Sequence, residues 1–266
     1  MTNREKYILS IYEELSDMGK HENVKLVKNT VNDGIYIKKT LKNYNIEIYK
    51  ILKNRQIKGI PKVYEIIEDE KELIIIEEYI HGLTLDKKYN KTDVETVKKI
   101  MEQLCNILKQ LHNMNPPIIH RDIKPTNIMV SNDDVVYLVD FNISREYDEN
   151  QSVDTVIMGS QGYASPEQCG FAQTDCRSDI YSIGMLMKNK HMVDEYPDKE
   201  TSTLLLLGDC SPPYHTKANF GIRIRFQNHP ALPLSYEQIR EGTSQKVRPR
   251  FQFQLTSLPV RYCNSP

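Results

Sequence analysis

The chain has 266 residues, 39% of them hydrophobic and 27% charged, a balance that excludes wholesale disorder and suits one large domain or two lobes sharing a cleft. Its net charge of −1 excludes a general electrostatic grip on nucleic acid or anionic lipid, so a charged partner must be bound locally. Five scattered cysteines (Cys105, Cys169, Cys176, Cys210, Cys263) make neither a CxxC pair nor a zinc-ligand spacing, which argues against a metal finger or disulfide scaffold and for a reducing, cytoplasmic setting.

The N-terminus, MTNREKYILSIYEEL, is charged and amphipathic, without the apolar core of a signal peptide. Apolar runs such as those at 73–76 and 204–207 fall far short of the ~20 residues that span a bilayer, so a soluble protein without a membrane partner is expected. Residues 24–41 hold two alternating runs, VKLV and IYIKKTL, around the turn-forming Asn32-Asp33-Gly34, and predict a β-hairpin. Residues 43–54 place Ile46, Tyr49 and Leu52, with Ile48 and Ile51 beside them, on a helical stripe. KVYEII and ELIIIEEYI follow as strands split by a charged turn at 68–71, so the first 80 residues read β-β-α-β-β. A strongly amphipathic helix is predicted over 93–113, with Thr92 as its N-cap, and then short strands in IIH, NIMV and VYLVDF.

The chemistry concentrates in His120-Arg121-Asp122-Ile123-Lys124-Pro125-Thr126-Asn127, followed by Asp140-Phe141-Asn142. Phosphoryl transfer from ATP asks little covalent help of a protein: a carboxylate to orient the attacking hydroxyl, a cation for the γ-phosphate, and oxygen ligands for Mg²⁺. Asp122, Lys124, Asn127 and Asp140 supply that set. With Gly159 to Glu167 (GSQGYASPE) and Ser178-Asp179-Ile180-Tyr181-Ser182-Ile183-Gly184 in order behind them, the chain resembles the eukaryotic-type serine/threonine protein kinases, whose signature runs HRDxKxxN, DFG, APE.

The resemblance covers about residues 15–187 and implies an α+β bilobal fold: a small sheet-and-helix lobe at 1–79 and a mainly helical lobe core at 80–187. It implies ATP and Mg²⁺ as cofactors and protein serine or threonine hydroxyls as substrate. Asp122 becomes the catalytic base, Lys124 the γ-phosphate contact, and Asn127 and Asp140 the metal ligands. Ser160 should reach the catalytic Asp and Lys, and Asp179 should tie down the catalytic loop. Of the adjoining Lys38 and Lys39, strand parity selects Lys39 to hold the phosphates, because Ile37 two residues before it then packs on adenine. Its expected carboxylate partner is Glu47. Val24 and Met129 join Ile37 around the base, and Glu78 and Ile80 form the hinge, which puts Glu77 in the unusual position just before it.

The phosphate-covering loop departs from the family: Asp17, Gly19 and Glu22 stand at its three glycine positions, so only Gly19 survives. Asn142 replaces the glycine of DFG, a substitution that left-handed geometry would tolerate. Arg121 is placed to answer a phosphate on the activation segment, with Thr155 and then Ser152 as acceptors. Two other readings stay open: a pseudokinase that binds or scaffolds without turnover, and a small-molecule kinase.

Beyond residue 187 the composition changes. Residues 1–186 hold 19 Lys, 5 Arg and five Pro; residues 187–266 hold 5 Lys, 6 Arg and eight Pro. Such proline density interrupts long helices, so 188–266 are expected to form an atypical tail rather than the family's packed helices, with the activity of the isolated chain low or dependent on a regulatory partner. Arg248 is the one candidate there to pair with Glu167.

Overall fold

The computed structural model describes residues 1–18, 23–69, 72–89, 93–149, 158–169 and 173–188, together with four short strands nearer the C-terminus. Gly19, Glu22, Ser152, Thr155 and Arg248 lie outside the described residues. The chain divides into two compact units, 1–192 and 193–266.

The first unit opens with α1 (Asn3–Ser10), whose N-terminus is closed by a capping box between Thr2 and Glu5. A five-stranded antiparallel sheet follows, built from β1 (Tyr12–Asp17), β2 (Val24–Asn29), β3 (Ile35–Leu41), β4 (Val63–Glu68) and β5 (Leu73–Glu78) in the order β1-β2-β3-β5-β4. The predicted hairpin is β2–β3. Its turn is held by Asn29 and Asn32, whose side-chain oxygens accept from the N–H groups of Val31, Asn32 and Gly34, with Asp33 left-handed at φ 57°.

The sequence reading found four of these strands and missed β1. Its residues YEELSD are exposed along nearly their whole length, and the ladder to β2 shifts register between Glu14 and Ser16. A bulged edge strand without apolar alternation carries no period-2 signal.

The sheet register fixes which side chains share a face. Val24, Lys39 and Ile75 lie opposite one another on β2, β3 and β5, and Leu26, Ile37 and Glu77 form the next such row. Between β3 and β4, α2 (Ile46–Arg55) is capped by Asn45, which accepts from Glu47 N–H, and stopped by a left-handed Gln56. It buries Ile48, Tyr49 and Leu52.

Beyond the sheet come β6 (Gly82–Thr84), α3 (Leu85–Lys88), α4 (Val94–His112), β7 (Ile118–Ile119), β8 (Ile128–Ser131), β9 (Val136–Leu138), β10 (Arg145–Glu146) and α5 (Cys176–Lys188). Strands β6, β8 and β9 form one small sheet, and β7 and β10 another. The α4 apolar stripe is core: Val97, Met101, Leu104, Leu108 and Leu111 are at most 2% exposed. Its N-cap is Asp93, which accepts from Thr96 N–H at 2.9 Å, and not the expected Thr92; a carboxylate there also suits the positive end of the helix dipole. Gly59 joins the two halves. At φ 84° its position for a Cβ falls 2.5 Å from the Ile107 side chain, and its carbonyl accepts from Leu138 N–H at 2.8 Å.

In the second unit, β11 (Leu205–Leu206) pairs with β14 (Phe253–Gln254), and β12 (Gly221–Ile224) with β13 (Leu232–Ser235), both antiparallel. Pro233 sits within β13, opposite Arg223.

Candidate active site

The loop after β7 begins with His120 and Arg121, and a single buried carboxylate holds its backbone. Asp179, near the start of α5 and fully buried, accepts from the N–H of His120 at 2.9 Å and of Arg121 at 2.8 Å, while His112 at the end of α4 closes on it at 2.8 Å. Burial disfavours charge on Asp179, but His112, His120 and the loop N–H groups outweigh that and hold its carboxyl below the usual range. Burial also disfavours the His112 cation; Cys176 and Asp179 overcome it and push His112 up to about 10. This clamp lets Arg121 sit at φ 70°, a left-handed conformation that a non-glycine residue adopts only under constraint.

The next residues converge on Asp122. Lys124 Nζ donates to Asp122 Oδ2 at 2.7 Å and to Ser160 Oγ at 2.7 Å; Ser160 donates to Asp122 Oδ1 at 2.7 Å. The Asn127 amide nitrogen donates to Asp122 Oδ2 at 2.8 Å and to its carbonyl at 2.9 Å, which turns the amide oxygen away from that carboxylate. Ser160 can reach because Gly159 precedes it at φ 141°, where a Cβ would fall 2.6 Å from the Gln168 side chain.

Asp140 follows β9 and is left-handed as well, at φ 68°. Its Oδ1 is buried with no hydrogen-bond partner among the described residues. An orphaned carboxylate oxygen is costly unless something fills it. Asp140 and the Asn127 amide each offer an oxygen, the donor type a hard divalent cation takes; among the described residues no cluster of three acidic, His or Cys side chains offers a separate cage. Phe141 is 3% exposed and packs edge-on against His120, with ring centroids 4.7 Å apart. Asn142 is not left-handed; that geometry falls on Asp140. Instead Asn142 Oδ1 accepts from the Tyr49 hydroxyl at 2.7 Å.

Above the loop, Lys39 is buried and Lys38 is not, as strand parity requires. Glu47 is not its partner. The Glu47 side chain is 59% exposed and pairs with Lys50, because α2 turns the Ile48, Tyr49, Leu52 stripe inward and leaves Glu47 off that face. Lys39 is met by Glu77 instead, at 2.5 Å, each side chain about nine-tenths buried. Burial disfavours the Lys39 cation, but Glu77 and then Asp140 outweigh it, so its pKa stands above the ordinary lysine value.

Around the expected base site, Ile37 is 8% and Ile80 5% exposed, and Val24 and Met129 are half-buried. The Glu78 N–H is already taken by the Lys62 carbonyl at 2.8 Å, so what Glu78 can offer a base is its carbonyl. The sequence reading missed Glu77 and Tyr49. Glu77 had a signal: a carboxylate in an apolar strand needs a cation on the same face.

A sheet lobe and a mainly helical lobe, with a carboxylate–lysine–amide loop and a left-handed Asp140 before Phe141, make the architecture of a protein kinase domain. The chain belongs to the protein kinase domain family, which matches residues 14–203, past the 187 to which its motifs can be traced. It is 37% identical over 131 residues to a probable serine/threonine-protein kinase of Clostridium acetobutylicum, covering 48% of this chain and 20% of that one. It is 30% identical over 156 residues to serine/threonine-protein kinase D of Synechocystis sp., covering 54% and 30%. It is 36% identical over 117 residues to serine/threonine-protein kinase PknB of Mycobacterium tuberculosis, covering 42% and 19%. The matched stretch thus spans less than a third of each relative. Among the described residues no helix is long and apolar enough to cross a membrane.

Proposed function

We propose that this domain transfers the γ-phosphoryl group of ATP to serine or threonine hydroxyls of protein substrates. The observation that carries this reading is the closed triangle of Asp122, Lys124 and Ser160, every side of which is 2.7 Å. A carboxylate and an ammonium fixed side by side can orient a hydroxyl and face a phosphate at once, and positioning of this sort supplies most of the catalysis in phosphoryl transfer.

In this reading the substrate hydroxyl oxygen attacks the γ-phosphorus, its proton passes to Asp122, and the bond to the β,γ-bridging oxygen breaks to release ADP. Lys124 steadies the γ-phosphate oxygens and Lys39 the α- and β-phosphates. Asp140 and Asn127 would hold Mg²⁺, which when bound neutralises charge on the β- and γ-phosphate oxygens. Val24, Ile37 and Met129 enclose the adenine, whose polar edge meets the backbone of Glu78 and Ile80. Cys105 and Cys176 are free thiols, which accords with a cytoplasmic setting for the domain.

The test is radiolabel transfer from γ-labelled ATP to the protein itself and to a generic basic protein, with Asp122→Ala as the control. Label that reaches protein from the wild type and not from Asp122→Ala is expected. Nucleotide binding without transfer would turn the reading to a scaffold of kinase fold, which the loss of two loop glycines at Asp17 and Glu22 would then explain. Transfer only to small molecules would replace the substrate class.

A further inference from the structure

The carboxylate facing Lys39 comes from an unexpected element, and the register explains how. Lys39 lies opposite Ile75, and Glu77 is two residues further along β5. Directly opposed residues share a face, as do residues two apart, so Glu77 is the diagonal cross-strand neighbour of Lys39, within reach of two long side chains. Both are buried, and they meet at 2.5 Å. Helix α2 supplies no carboxylate here: Glu47 is turned out to Lys50, and one helical turn before the buried pair Ile48 and Tyr49 stands the capping Asn45. What α2 sends inward is the Tyr49 hydroxyl, which binds Asn142.

We propose that Glu77 is the positioning residue that holds Lys39 for the nucleotide phosphates, so that the lysine–carboxylate pair is built within the sheet and does not depend on where helix α2 lies. This rests on the ATP-binding reading above. An ammonium has three donors; the contact to Glu77 uses one and leaves two for phosphate oxygens. Because neighbouring strands hold both residues, the pair persists when α2 shifts. The strand position that looked anomalous in the sequence therefore has a role, and Glu47, expected there, has none at Lys39.

Binding measurements separate this from a packing role. Calorimetric titration with MgADP and with adenosine is carried out on the wild type, Glu77→Gln, Glu47→Gln, Lys39→Met and Lys39→Met/Glu77→Gln. Glu77→Gln should weaken MgADP at least about tenfold while leaving adenosine within about twofold, because the lost charge acts on phosphates through Lys39. It should cost more than Glu47→Gln, and cost nothing further once Lys39 is already Met. Should Glu77→Gln not fold, Glu77→Asp, which keeps the charge but draws it back by one methylene, serves in the same comparison. Equal losses for MgADP and adenosine would mean a packing role. Tighter MgADP binding would mean that Glu77 sequesters Lys39, and a larger loss from Glu47→Gln would return the role to the helix. Any of these overturns the proposal. A wild type that binds adenosine but gains nothing from the diphosphate also overturns it, whereas one that binds neither defeats the ATP reading itself and this with it.

Discussion

The Tyr49 hydroxyl of α2 donates to the Asn142 side-chain oxygen at 2.7 Å across 93 residues of sequence. Tyr49 is 1% exposed, and burial first, then the carboxylates of Glu77 and Asp140, push its phenol well above the usual range, so it stays a neutral donor. Asn142 stands where the family has glycine, two residues after Asp140, so this bond ties the helix to the chain that carries a proposed metal ligand. Tyr49→Phe keeps the ring and removes the donor. It should lower the unfolding free energy by about 1 kcal/mol, as should Asn142→Ala, with the double variant close to either single one. Urea unfolding of the four proteins gives the cycle; strictly additive losses would deny the bond any net worth.

Asp140 is expected to be required for phosphoryl transfer and dispensable for folding. Its buried Oδ1 has no hydrogen-bond partner among the described residues, so the folded state bears the desolvation of that oxygen without a compensating bond. Asp140→Ala should therefore abolish transfer while the thermal midpoint of the metal-free protein stays within a few degrees of wild type, or rises. Calorimetric scans beside a transfer assay decide it: turnover near wild type would remove Asp140 from the metal site, and a large fall in midpoint would make it a structural carboxylate.

The parts of this site that were legible in the sequence are those that fall in the family's motifs, Ser160 and Asp179 included, whose partners on the catalytic loop lie 36 and 59 residues away. Asp122, Lys124 and Asn127 occupy one short loop, and the spacing alone brings them together. Lys39 could be told from Lys38 because a strand has a fixed period of two. Glu47 was expected at Lys39 through the resemblance, as the one carboxylate of its helix, but the helix buries Ile48, Tyr49 and Leu52 and leaves Glu47 turned out to Lys50. The Lys39–Glu77 pair depends on a strand register set across 38 residues, which no local pattern encodes. β1 was invisible because it is joined to the sheet by its backbone, with little apolar surface of its own.

The pair of His112 and Asp179 sets a pH dependence. The His112 pKa, about 10 when folded against 6.5 as its ordinary value, means that the folded chain holds a proton the unfolded chain releases. Its contribution to stability is complete below about 6.5 and fades as pH rises through 10. Asp179 is shifted the other way, so its contribution is present above its ordinary 3.8 and is lost as pH falls through the lowered folded value. The stability advantage of wild type over His112→Gln should accordingly be largest near pH 5–6 and shrink steadily by pH 9.5. Urea unfolding of both proteins across that range tests it, and an advantage independent of pH would show that His112 stands neutral against Asp179.

Ser160 provides the last test, and it concerns chemistry rather than stability. Its Oγ accepts from Lys124 and donates to Asp122, each at 2.7 Å, so it fixes the angle between the proposed base and the proposed phosphate contact without belonging to either. Ser160→Ala removes both bonds and frees Lys124 to swing about Asp122. Because misplacement of a reacting group by about 1 Å can cost 100-fold in rate, kcat should fall by one to two orders of magnitude. KM for ATP should move little, since adenine and the α- and β-phosphates are held elsewhere. Ser160→Thr keeps the hydroxyl and should retain most of the rate, as Ser160 is only partly buried. Steady-state kinetics of the three proteins with ATP varied separate the two parameters. A rise in KM with kcat unchanged would place Ser160 in nucleotide binding, and equal losses in the Ala and Thr variants would show that the backbone beside Gly159, rather than the hydroxyl, is what the site requires.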